Sequence, residues 1–408
     1  MSILAFAYAC EPDTGSEPGA GWSWIRALAT FDRTYVITRS NNARVIEQAL
    51  PATPEWPQLT FVFVDLPSWS RFWKKGRRGH RLYYLLWQLA ALRVARRLHS
   101  RQEFDLVWHV TLANAWMGSL APLVGKRFVF GPVGGGAKAP LKLTPVLGPR
   151  GMLFELARGG ATLVSRFLNP LARMAWRRAD LVLVQNPETR DWMPRRHRHK
   201  AVLFPNALMA VPGTRERPRS SRTNRPPTML FAGVLLPLKG VYLAIRALER
   251  LSEWRLIICG SGSDERRLQR LVSRRNLVNR VEFRGWVERP ELARVMQEEA
   301  DVFVFPSLRD QAGFVVAEAT AYGLPTVCLD RGGPKVLGGI PVKSGSPQTT
   351  ADALAAAIAQ ARDTRPSTLP DRPQQLLRLR QLLEDRGLLH AAPSAVPGQG
   401  GPVSGSVP

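Results

Sequence analysis

The chain has 408 residues, enough for two α/β domains with a core each and more than one ordinary domain needs. With 45% hydrophobic and 22% charged residues it is neither disordered nor fibrous, and 57 Lys and Arg against 32 Asp and Glu give +25, a field that attracts phosphate-rich and anionic surfaces. Cys10, Cys259 and Cys328 lie far apart without C-x-x-C spacing, which argues against a disulfide framework or a structural zinc site and for a reducing compartment.

The opening SILAFAYACEP has no basic residue before its short apolar run and leads into Glu11 and Pro12. It therefore predicts a first strand over 3–9 and not a signal peptide. A Gly- and Pro-rich loop over 14–21 and a helix over 22–29 complete the opening of a Rossmann-type half. Strands follow at 34–38, 59–66 and 104–110 with helical stretches between them. The segment 131–179 reads as mainly helical, and 180–185 and 201–204 read as short strands.

From Arg71 to Arg101 basic residues come without an acid and are interleaved with Trp73, Tyr83, Tyr84 and Trp87. Leu82, Leu85, Leu86, Leu89 and Leu92 share one helical arc, which suits either a membrane-surface helix or a core-packed helix with cationic ends. This apolar run is too short for a spanning helix, which needs about 20 residues. The expectation is a cytoplasmic protein, or a peripheral one on the inner face of the plasma membrane.

Residues 206–227, basic and proline-rich, read as a linker between a first domain at 1–205 and a second at 228–365. The second restarts the rhythm: strands at 229–232, 255–259, 281–284, 302–305 and 325–329, with helices at 241–251, 264–275, 290–298 and 315–322. Residues 366–408 change character, and 393–408 read as a disordered tail.

Within PSLRDQAGFVVAEATAYGLPTV, 306–327, Asp310 and Glu318 stand eight positions apart. A strand ending at Phe305 presents Asp310 at the carboxyl edge of the sheet, where open α/β sheets bind ligands. Glu318 falls about a turn and a half into a helix opening near Gly313 and Phe314. An isolated pair of this kind also reads as a loop carboxylate and a solvated helix residue. In LFAGVLLPLKGVYLAIRAL, 230–248, Lys239 precedes Gly240 and a helix start, where an ammonium and a helix N-terminus both favour phosphate. A solvated lysine is the other reading.

These segments resemble the retaining GT-B glycosyltransferases called glycosyl transferases group 1, of the bacterial family 4 type, and the likeness runs in order from Ser2 to about Val336. The resemblance implies an α/β fold of two Rossmann-like doubly wound domains facing across a cleft. It further implies transfer from a nucleoside diphosphate sugar to a glycan or lipid-linked acceptor, of hexosyltransferase type, with retention and with no metal or other cofactor. Glu318 would accept hydrogen bonds from the donor ribose, Asp310 would touch the donor sugar and Lys239 would contact the diphosphate. Gly233, Gly260, Gly262, Gly313 and Phe314 fall among the donor-binding positions, although Gly260-Ser261-Gly262 is equally a tight turn.

In the first half, GSEPGAGW (15–22) and FGPVGGG (130–136) resemble segments of a bacterial subgroup. Gly19 and Gly21 would let backbone N–H groups approach the donor, or simply make turns. His109 would line the sugar and acceptor site, or be a packed histidine. Three departures stand out: Asp310 is one methylene shorter than the family's Glu, Val234 replaces the usual Arg, and 365–408 offer no evident counterpart of the family's closing helix. A nucleotide-sugar-binding relative with impaired catalysis is therefore an alternative. A nucleic-acid-binding protein is another, although no recognised module for a specific nucleic acid appears.

Overall fold

The computed structural model describes residues 1–71, 79–125, 127–208, 225–364, 367 and 369–390. In the first half the elements are β1 (Ser2–Phe6), α1 (Ser16–Ala29), β2 (Arg33–Arg39), α2 (Ala43–Ala49), β3 (Leu59–Val64), α3 (His80–Arg101) and β4 (Leu106–His109). They continue with β5 (Phe128–Val133), α4 (Gly148–Leu168), α5 (Pro170–Arg178), β6 (Leu181–Val184), α6 (Pro187–Trp192) and β7 (Ala201–Leu203). Every residue of β1, β4, β5 and β6 is buried, the mark of central strands covered on both faces. The strands pair in parallel in the order β3-β2-β1-β4-β5-β6-β7.

The second half holds β8 (Thr228–Ala232), α7 (Val241–Leu248), β9 (Arg255–Cys259), α8 (Glu265–Arg274), β10 (Val281–Gly285) and α9 (Arg289–Arg294). It closes with β11 (Val302–Phe305), α10 (Phe314–Ala321), β12 (Thr326–Leu329), β13 (Ile340–Val342), α11 (Pro347–Ala361) and α12 (Arg372–Asp385). Its sheet is also parallel, in the order β10-β9-β8-β11-β12-β13. Strand order reverses between β1 and β4 in one sheet and between β8 and β11 in the other. Each reversal opens a crevice at the carboxyl ends of the strands.

Four expectations need correction. Helix α1 begins at Ser16, so Gly19 and Gly21 are helical rather than parts of a loop. Residues 128–133 form strand β5, which was not expected and whose last three residues fall in the stretch read as mainly helical; Gly131 and Pro132 disguise it, and the register with β6 shifts between Phe130 and Val133. Helix α3 buries the arc of Tyr83, Tyr84, Trp87, Gln88 and Ala91 and leaves Leu82 and Leu89 exposed, so its aromatic residues, joined by Leu92 at the edge, make the core face.

The fourth concerns the chain's end, where no closing helix was expected. Helix α12 packs Leu379 and Leu383 into the first half's core against residues such as Ile3, Trp24, Leu106 and Trp108. A capping box, Asp371 with Gln374, starts it, and Arg372 joins Arg26 on Glu55. Residues 72–78 of the basic run, 209–224 of the linker and the tail at 393–408 lie outside the described residues. Asn206, Ala207 and Leu208 at the linker's start are buried.

Candidate active site

A cavity of about 1110 Å³ lies between the two crevices and takes its walls from both halves. On the second half, Gly240 adopts φ +73°, and an added Cβ would stand 2.0 Å from the Pro306 carbonyl oxygen. Only glycine meets both conditions, and the close approach seats the loop after β8 against the loop after β11. Lys239 is thereby brought into an ion pair with Asp310, with its ammonium 5.2 Å from the Phe305 ring centroid. Asp310 also accepts a 2.9 Å bond from the Gly313 amide, at the N-cap of α10. Gly313 (φ +74°), Phe314 and Val315 then bring the first turn of α10 to the cavity.

Glu318 lies one turn further on and accepts a 2.8 Å hydrogen bond from Arg289 at the start of α9. Burial pushes its carboxyl above the usual carboxylate range, and the Arg289 guanidinium opposes that shift. Gly233 and Gly260 sit back to back at the ends of β8 and β9, where a Cβ on Gly260 would stand 1.9 Å from the Gly233 carbonyl oxygen. Both line the cavity.

The first half supplies Glu17, whose carboxylate accepts a 2.7 Å bond from the Leu112 amide and ties the loop after β1 to the loop after β4. Burial raises its pKa. Tyr84, Trp116 and Arg158 line the same wall. Arg158 of α4 and Arg309 of the loop after β11 share the buried Glu155 carboxylate, at 3.0 and 2.9 Å, across the boundary between the halves. Two guanidiniums on one carboxylate leave a net positive charge at the cavity wall. Gln311 is a second link, with its side-chain oxygen accepting from the Gly135 amide at 2.8 Å and its backbone oxygen from Asn186 at 2.9 Å.

The cavity therefore brings together Lys239, Asp310, Glu318, Gly233, Gly260, Gly313 and Phe314. The other expected site residues lie elsewhere. Gly19 and Gly21 face Thr14 and Ala9, whose carbonyl oxygens would be 1.9 and 2.0 Å from an added Cβ, so their smallness serves packing of α1 on its own loop. Gly262 abuts the Leu235 backbone in the same way, at 2.3 Å.

His109 is buried beneath the cavity. It bonds Ser119 at 2.6 Å and Tyr84 at 2.8 Å, and desolvation pushes its pKa down to about 4. It is a packed, neutral histidine. Glu17 stands inside the glycine-bearing motif and Arg309 and Gln311 inside the carboxylate-bearing one, where their neighbours carry the recognisable signal, and Arg158 stands in no motif. Among the described residues no three His, Cys, Asp or Glu side chains cluster to hold a metal ion.

Comparison with known proteins relates the second half of this geometry to a known family. Residues 214–372 match the family model described as glycosyl transferases group 1. The chain carries a glycosyl transferases group 1 domain. That domain contains Lys239, Asp310 and Glu318 and all of the second sheet. A putative colanic acid biosynthesis glycosyltransferase, WcaL of Salmonella typhimurium, is 31% identical over 264 residues, 59% of this chain and 62% of that relative. The match to its Escherichia coli namesake spans 51% of the relative.

Among solved structures, Anabaena Alr3699/HepE in complex with UDP aligns over 94% of this chain and all of its own, with a TM-score of 0.56 and 18% identity. The lipopolysaccharide outer core galactosyltransferase WaaB aligns over 95% of this chain and all of its own, with a TM-score of 0.56 and 14% identity. The fold around the group 1 domain is thus the GT-B arrangement of two Rossmann-like halves.

Proposed function

We propose that the chain transfers a hexosyl group from a nucleoside diphosphate sugar to a glycan or lipid-linked acceptor in bacterial surface polysaccharide or glycoconjugate synthesis, with retention at the anomeric carbon. The observation that carries this reading is the placement of Lys239 and Glu318 in one cavity, at the carboxyl ends of β8 and β11, where a doubly wound sheet holds nucleotides. The group 1 domain, the polysaccharide-related names of the relatives and the UDP held by the GT-B neighbour support it.

On this reading Glu318 exchanges Arg289 for the donor ribose hydroxyls, and Lys239 exchanges Asp310 for the diphosphate. The bond from the anomeric carbon to the diphosphate breaks with its electron pair on the leaving oxygen, while an acceptor hydroxyl oxygen bonds to that carbon on the same face and its proton passes to the departing diphosphate. Lys239 meets that charge in a site partly closed to water, where a placed cation acts most strongly. Asp310, released, faces the sugar. Arg309 and Arg158 supply the cationic character that Val234 does not. No step is assigned to a metal, and the site lies on the cytoplasmic side of the membrane.

A specific observation keeps a second reading in play. Val234 and the shortened Asp310 are the departures expected of a relative that binds nucleotide sugar without transferring it. Thermal melts with UDP-, GDP- and ADP-sugars, followed by product analysis in the presence of a chelator, separate the cases. At least one donor should raise the melting temperature, Glu318→Ala should abolish the rise, and turnover should survive chelation. Stabilisation without product selects the second reading, and no stabilisation by any donor rejects both.

A further inference from the structure

Helix α4 is amphipathic in the wrong sense for a helix surrounded by water. Its inward stripe is polar or small: Glu155, Arg158, Thr162, Ser165 and Arg166 recur at spacings of three, four and one and are buried or half-buried. Its outward arc is apolar, with Leu153 69%, Phe167 62% and Leu168 74% exposed and Phe154, Leu156 and Val164 more than half exposed. A surface helix of a water-soluble domain turns its apolar stripe to the core and its charges outward. An exposed apolar patch of this kind marks a docking surface.

The surrounding charge identifies the occupant. Between 134 and 179 the sequence holds one acid, Glu155, which is buried, while Lys142 and Arg150 are exposed at the leading end of the helix. At the trailing end Arg166 donates to the Met193 carbonyl at 3.3 Å, and Arg195 and Arg198 bear on it electrostatically. An apolar face with cations at both ends, no exposed acid between 134 and 179 and Asp191 as an exposed acid at the trailing margin matches an anionic bilayer, with acyl chains beneath and acidic headgroups at the margins. A second copy packed about a two-fold axis would set these cations against their own kind. No described helix is long and apolar enough to cross a membrane, so α4 would lie in the interface plane.

We propose that the outward face of α4 docks the protein on an anionic lipid surface and thereby presents the cavity to a lipid-linked acceptor. The second clause rests on the transferase reading; the docking does not. Arg158, on the inward face of the same helix, lines the cavity, and Ser165 bonds the backbone of Trp116, another cavity residue. Bilayer and cavity are then separated by about one helix diameter, roughly 10 Å. An acceptor whose lipid stays in the membrane reaches the site without leaving it.

The test uses the full chain with vesicles of phosphatidylglycerol and phosphatidylcholine, against pure phosphatidylcholine. Co-sedimentation should favour the anionic vesicles, and the triple change Leu153→Ser, Phe167→Ser and Leu168→Ser should weaken it at least about tenfold. Donor-induced thermal stabilisation of that variant should match the parent. Because the three native cysteines are buried, an environment-sensitive dye on Phe167→Cys reports insertion directly. It should shift to the blue with anionic vesicles, whereas the same dye on Gln269→Cys, exposed on α8, should not.

Absence of vesicle binding, binding indifferent to the triple change with no dye shift, or a dimer that the triple change dissolves would overturn the proposal. A parent chain that binds no vesicles yet keeps its donor response condemns the docking alone. Vesicle binding without any donor response condemns the transferase reading alone.

Discussion

Lys239 and Asp310 neutralise one another in this structure, so on the proposed transferase reading a diphosphate competes with a carboxylate for the ammonium. A partly exposed pair of this kind is held by no more than about 1 kcal/mol. Asp310→Asn keeps an acceptor for the Gly313 amide and removes the competitor. Titration calorimetry with the nucleoside diphosphate should therefore show affinity raised up to about fivefold, while sugar transfer falls.

His109 yields a pH prediction with a definite sign. Folded, it stays neutral down to about pH 4; unfolded, it takes a proton near its ordinary value of 6.5. Its contribution to stability is complete above pH 6.5 and is lost as the pH falls towards 4, at up to about 1.4 kcal/mol per unit. Denaturant titrations from pH 7 to 5 should show a steep decline in the parent and a shallower one in His109→Gln. Equal slopes would contradict the buried, neutral assignment.

At the scale of elements, α12 is the clearest gain over the sequence. Its apolar residues alternate with arginines, and Arg378 stacks on Phe204 at 5.6 Å, so the helix reads as polar until its partner surface is known. Leu379 is wholly buried against the first half, and Leu379→Ala should lower stability by about 2–5 kcal/mol in guanidinium titrations. An effect below 1 kcal/mol would mean that α12 does not hold the closure drawn here. The capping box at Asp371 and Gln374 was a local signal of a helix start, legible without the fold. Strand β5 was obscured for the opposite reason, because glycine and proline ordinarily interrupt strands and here sit within one.

For the molecule as a whole, the two halves meet through polar contacts at the cavity, such as Glu155 with Arg309 and Gln311 with Gly135, and away from it, where Arg331 donates to the Lys138 carbonyl and Lys335 pairs with Glu188. Glu155 is the most exacting of them, since its removal leaves Arg158 and Arg309 without a counter-charge in a poorly solvated place. Glu155→Gln should destabilise the protein by about 3 kcal/mol. A bound donor, itself anionic, should restore part of that loss, so the melting-temperature gain on donor addition should be larger in the variant than in the parent. A smaller gain would place the diphosphate away from the two arginines. Burial holds the Cys259 and Cys328 thiols up at about 11 and about 12, so neither is positioned to react near neutral pH.

Strand and helix periodicity, the two glycine-bearing loops and the spacing of Asp310 and Glu318 were enough to point to two doubly wound sheets and to residues of the second half that line the cavity. That information is local: a strand of four buried residues or a turn that only glycine can make is written in consecutive positions. Tertiary structure alone decided that Gly19 and Gly21 are packed tightly in α1 outside the cavity lining, that His109 lies under the cavity, and that Glu17, Arg158 and Arg309 line it. It also decided that α4 faces outward with its apolar side. Each of these depends on which surface lies opposite a residue, and that is a property of the folded chain and not of consecutive positions.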